Sequence, residues 1–245
     1  MLFINQLKVS IKSIIKGKTL KLGILLSLAG LVIAEPWRRE TLPDALCSGF
    51  SWFSLMLGLL TGFMALCWSC SRYYRNVNRI VRINNRTDYA VHLFLSVAGT
   101  AYAAAFFYTA LVFLTAIRSK GESASWGWIS NCIPDPEIRD LSGIFFRTFA
   151  VLGLLLVICG LCFYIILFWT GRVAPAVFLP LLIPAIDEMN QSLWGGQLVM
   201  NYVFPPETFF YFDNTQFSIG CVGLLAVVLG LFAALAVILY RLDFI

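Results

Sequence analysis

Charge is what this chain has least of. Of its 245 residues only 13% are charged, while 60% are hydrophobic and 15% aromatic, against roughly a quarter charged in an ordinary soluble domain. That composition excludes a soluble globular domain, a disordered chain and a nucleic-acid-binding domain as descriptions of the whole. Histidine is nearly absent. His92 stands alone, so a His-Glu-x-x-His metal site cannot be built and a serine–histidine pair would have to use His92 itself. Acidic residues are almost missing from the long apolar runs, which argues against an ion-coupled carrier built on buried carboxylates. No serine sits in a Gly-x-Ser-Gly setting. Gly17-Lys18-Thr19 has the form of the end of a phosphate loop, but Lys12 stands where that motif needs glycine, so ATP is not bound by that motif. No cofactor or metal is expected in this chain, and no catalytic residue is assigned. Repeats, low-complexity tracts and long linkers are also lacking, so residues 1–245 read as one membrane domain.

Apolar blocks are what the chain does have. They run over 22–34, 50–70, 90–117, 148–170, 173–186 and 217–240. About 20 residues carry a helix across the hydrocarbon core, so four of the six are long enough unaided. The first is lengthened by Lys16, Lys18 and Lys21, whose side chains reach the headgroups while their stems lie in the apolar zone. A cleaved leader is the other reading of that block, but 21 residues ahead of it is long for that role. The fifth holds Pro175, Pro180 and Pro184 and reads either as a kinked span followed by a re-entrant helix or as two half-helices, the former preferred. Trp37, Trp52, Trp68, Trp169 and Trp194 lie near block ends, at the level indole prefers. The expected fold is all-α: a polytopic membrane protein with six transmembrane helices, an N-terminal amphipathic elbow and a re-entrant outer segment.

The basic residues give the orientation. With the N-terminus inside, the inner segments hold 12 of the 18 lysines and arginines and only Asp88 and Asp243 among the acids. The outer segments hold six basic and 11 acidic residues. Both termini are therefore expected in the cytoplasm.

Three segments are candidates for function. In the inner loop 71–89, Arg72, Arg75, Arg79, Arg82 and Arg86 fall within a stripe of about 80° on a helix, with Tyr73 at its start. Such a helix either lies on anionic headgroups, at about 1 kcal/mol per arginine, or meets a cytoplasmic partner. Residues 1–21 form a second amphipathic segment, with Ile11 and Ile15 on the apolar face and Lys8, Lys12 and Lys16 beside it. The outer segment 187–216 is half apolar and interrupted by Gly195-Gly196, beside Trp194, and by Pro205-Pro206. It reads as a re-entrant gate or as an extracellular helix resting on the bilayer. Small residues at Gly58 and Gly62, and at Gly223, Ala226, Gly230 and Ala234, are expected to pack helices within the chain, a dimer seam being the other reading. Cys67-x-x-Cys70 and Cys159-x-x-Cys162 read as small packing residues, and Cys47 and Cys132 as the only outer cysteines.

The order of parts resembles the ABC-2 type permeases, the membrane subunits of ATP-driven exporters. An elbow at 2–16, a coupling segment at 72–88 and a re-entrant outer region at 188–210 correspond to that family's parts, although Asn84-Asn85-Arg86-Thr87-Asp88-Tyr89 lacks the Gly-Thr that many members carry there. The resemblance implies a separate ABC ATPase partner carrying ATP and magnesium, a second permease subunit, membrane lipid around both and no nucleic acid. It also implies a bacterial plasma-membrane protein, and the length is similar to small permeases that export antimicrobial peptides or confer immunity to them. The implied cargo is amphipathic, lipid-like or drug-like. A scaffold or immunity subunit without transport, and an intramembrane enzyme using His92, are the competing classes.

Overall fold

The computed structural model describes residues 46, 50, 55–74, 86–120, 141–182 and 214–241. Among these the structure is all helical apart from short joints at Phe50 and Gly171-Arg172. A π-helical segment, Leu55–Leu60, runs directly into helix α1, Thr61–Tyr74. Helix α2 is Arg86–Lys120, α3 is Leu141–Thr170, α4 is 173–182 and α5 is Asn214–Arg241. Among the described residues three stretches are long and apolar enough to cross a membrane: Asp88–Ala116, Ser142–Thr170 and Phe217–Arg241. Gly58–Ser71 and Val173–Leu182 are shorter apolar helices. The first apolar block, the elbow and the residues between α4 and α5 lie outside the described residues.

α3 is the axis of the molecule, packing against α2, α5 and α1. Its sequence is apolar on every side, and every residue from Val151 to Leu161 is buried, as expected of a helix without a polar face that other helices surround. Within its most apolar stretch 78% of residues are buried, against 39% in α2 and 22% in α5. Two glycines set the spacing. A Cβ on Gly153 would run into the Tyr102 ring, and one on Gly160 would lie 2.6 Å from Val97 Cγ1 and 3.3 Å from the Phe63 ring. Small side chains Ala101 and Ala105, fully buried on α2, also let backbones approach.

Ring pairs fix the directions. Phe113 meets Phe145 and Tyr102 meets Phe149, while Tyr89 meets Phe168, so α2 and α3 are antiparallel. Arg147 lies over Phe217 and Phe94 packs on Phe232, so α5 runs parallel to α3. Phe50 meets Tyr108 and Phe113, and Tyr164 reaches Cys67, so α1 is parallel to α3 as well.

Threonines along the helices return their hydroxyls to the backbone. Thr100, Thr115, Thr148 and Thr170 each donate to the carbonyl four residues back, at 2.7–2.9 Å. This satisfies the hydroxyl within its own helix. α3 stops at Gly171, whose φ of 68° favours glycine and whose N–H bonds the Leu167 carbonyl at 2.9 Å. α4 follows after Arg172, turning Val173, Ala176, Val177 and Leu181 toward the core and leaving Phe178, Leu179 and Leu182 exposed.

Candidate docking face at the arginine end

The helix directions bring the end of α1, the start of α2, the end of α3 and the end of α5 to one end of the bundle. Arg72, on the last turn of α1, and Arg86, the first residue of α2, lie there. Arg172 and Arg241 are exposed at the same end. The segment expected as the loop 71–89 is shorter than its sequence suggests, because 71–74 complete α1 and 86–89 begin α2. Helices continue past the apolar block because their backbone bonds need no lipid. Tyr73 is also on the last turn of α1. Arg75, Arg79 and Arg82 lie outside the described residues, but the chain that carries them starts and finishes at this end.

Exposed aromatics mark a level just inside the arginines. Trp169 is 80% exposed, Tyr240 71% and Trp68 40%, on three different helices. That is the arrangement of an interfacial aromatic belt. Asp88, in the first turn of α2, is exposed, where a carboxylate suits the positive end of the helix dipole.

Beneath this level the helix ends are joined by side chains. Tyr89, buried at the start of α2, meets Phe168 edge-on at 6.5 Å. Phe168 stacks on Tyr164 at 6.2 Å, one turn back along α3. The Tyr164 hydroxyl donates to the Cys67 carbonyl of α1 at 3.4 Å. Each aromatic pair contributes about 0.5–1.5 kcal/mol beyond its burial. Both stems of the arginine-bearing connection are thus clasped to α3, and displacement of either stem loads the central helix. Sequence reasoning passed over Tyr89, Tyr164 and Phe168. The signal was the four-residue spacing of Tyr164 and Phe168, which an apolar run conceals.

At the opposite end Arg147 is half-buried, its guanidinium 5.4 Å from the centre of the Phe217 ring. The sequence places Arg147 outside the fourth block, whereas α3 begins at Leu141 and includes it. Cys67, Cys70 and Cys159 are buried, Cys162 is half-buried and none of the four forms a disulfide. Among the described residues no three His, Cys, Asp or Glu side chains gather as a metal site requires. The elbow residues Lys8, Ile11, Lys12, Ile15 and Lys16 lie outside the described residues. So do the gate residues Trp194, Gly195, Gly196, Pro205 and Pro206, and Cys47 and Cys132.

The small residues singled out by their spacing differ in setting. Ala226, Gly230 and Ala234 of α5 are exposed, while Gly58 and Gly62 are buried. Gly223 is half-buried, and among the described residues nothing covers Ala226, Gly230 and Ala234.

No protein-family model, no curated protein and no solved structure matches the chain. The class that the described residues define is an all-helical one in which three helices are long and apolar enough to cross a membrane.

Proposed function

We propose that the chain is the permease subunit of an ATP-driven exporter of the ABC-2 kind, with the arginine end and both termini in the cytoplasm. The observation that carries this reading is the arginine end itself. Arg72, Arg86, Arg172 and Arg241 share it, the connection bearing Arg75, Arg79 and Arg82 starts and finishes there, and its stems are clasped to the enclosed helix α3. A cytoplasmic ATPase seated under that connection would transmit its closure through Tyr89, Phe168 and Tyr164. ATP and magnesium belong to that partner.

In this reading the chain crosses the membrane six times, residues 1–21 form the elbow and Trp194–Pro206 the outer gate. α3 is buried on all sides through its middle, so an amphipathic peptide, lipid-like or drug-like cargo would pass along the faces of α2 and α5 that no described residue covers. A second permease subunit would complete that route.

Purification of the intact chain from membranes in mild detergent tests this. An ABC ATPase is expected to come with it, and replacing Arg72, Arg75, Arg79 and Arg82 together by alanine is expected to release it. Unchanged co-purification and transport in that variant would overturn the coupling role. A chain that never brings an ATPase is a scaffold or immunity subunit instead.

A further inference from the structure

Arg147 is a cation inside a span. It belongs to Ser142–Thr170, a stretch long and apolar enough to cross a membrane, and a charge within such a stretch is costly enough to mark a function. Its depth follows from the exposed aromatics at the arginine end. Trp169 on α3 and Tyr240 on α5 are both exposed there, at the level of one membrane interface. Measured along α3, Arg147 lies about 33 Å from Trp169, and along α5 Phe217 lies about 35 Å from Tyr240. The hydrocarbon core is about 30 Å thick. Arg147 and Phe217 therefore stand together at the opposite interface, where lipid phosphates begin.

The guanidinium has a fixed seat at that level. It is half-buried between α3 and α5, 5.4 Å from the centre of the Phe217 ring that it overlies, and the quadrupole of the ring holds the cation there. Beside it the surface is aromatic and uncovered. Phe146 and Phe106 are both exposed, Phe146 meeting Phe145 edge-on at 5.6 Å and Phe106 meeting Phe145 and Phe149 at 6.0 Å. Phenylalanine has no polar tip, so these rings suit an acyl chain, in contrast to the tryptophan and tyrosine exposed at the arginine end.

We propose that Arg147 and these rings hold one resident phospholipid in the leaflet opposite the arginine end. The guanidinium takes the headgroup phosphate with its planar fork of N–H donors, which matches phosphate bidentately, while an acyl chain lies across Phe146 and Phe106. Charge complementarity names the occupant. A cation set between two membrane helices at headgroup depth meets the anionic oxygens of lipid phosphates. The site holds its lipid whatever the chain carries, and its failure would leave the permease reading untouched.

Native mass spectrometry of the intact chain in mild detergent, with phosphatidylglycerol titrated in, tests this. The wild-type chain is expected to retain one phospholipid above the non-specific background, and Arg147→Gln to bind it about tenfold more weakly, as loss of a hydrogen bond to a charged group implies. Phe146→Ala changes an exposed position, so it is expected to leave thermal unfolding unaltered and to weaken lipid binding several-fold. Diacylglycerol, which lacks the phosphate, is expected to bind less well than phosphatidylglycerol, and inorganic phosphate, which lacks the chains, is expected not to displace the lipid. Unchanged retention in either variant would overturn the site, and Phe146→Ala decides if Arg147→Gln does not fold. Diacylglycerol binding as well as phosphatidylglycerol would leave an apolar groove alone, and displacement by inorganic phosphate an ion site alone; either result overturns the proposal.

Discussion

Gly160 and Gly230 read alike in sequence and have opposite settings. A Cβ on Gly160 presses on Val97 and Phe63, whereas one on Gly230 meets open space. Alanine in a helix gains up to about 1 kcal/mol over glycine, and overpacking costs about 1–3 kcal/mol. Gly230→Ala is therefore expected to be neutral or stabilising and Gly160→Ala destabilising, as thermal unfolding in detergent would show. If both stabilise, α3 does not approach α1 and α2 as closely as the structure has it. The clasp gives a graded test. Tyr164→Phe loses only a long hydrogen bond, about 0.6 kcal/mol inside a membrane bundle, while Tyr164→Ala removes the ring between α1 and α2 at about 3–5 kcal/mol. Equal losses for the two variants would show that the hydroxyl and not the ring holds the helix ends together.

At the scale of elements, α5 was legible as a helix and illegible as a surface. An unbroken apolar run gives the existence of a span because the backbone must bond within itself in lipid. It does not say which side is covered. Spacing drew attention to Ala226, Gly230 and Ala234, which are exposed, while the tight contacts fall on Gly153 and Gly160. All are small residues in apolar surroundings, and only the register of the neighbouring helix tells them apart. Helix ends were misjudged for a related reason: Arg86, Ser142 and Arg147 look like breaks in hydropathy yet continue their helices. The arginine end was partly legible, since charge announces itself, but the aromatic clasp beneath it was not. Leu229 and Leu235 test the assignment of faces on α5, the first 64% exposed and the second buried. Leu229→Trp is expected to leave unfolding unchanged and Leu235→Trp to cost about 1–3 kcal/mol through overpacking. The reverse order would mean that α5 turns its other side to the core.

For the whole molecule the decisive property is sidedness. Arg172 and Ser142 lie at opposite ends of α3. In a chain whose native cysteines are replaced by serine, Arg172→Cys is expected to react with an impermeant maleimide only after cells are opened. Ser142→Cys is expected to react in intact cells, and reaction of both from one side would refute a membrane-crossing α3. A parity rule follows from the shared direction of α3 and α5. Both travel toward the arginine end, so Thr170 and Asn214 lie at opposite ends of the bundle, and if α3 and α5 both cross the membrane the proposed topology needs an odd number of crossings between them. α4, ten residues long, measures about 15 Å, half the hydrocarbon thickness. The proposed six-span reading therefore stands or falls on a return crossing between Thr170 and Asn214.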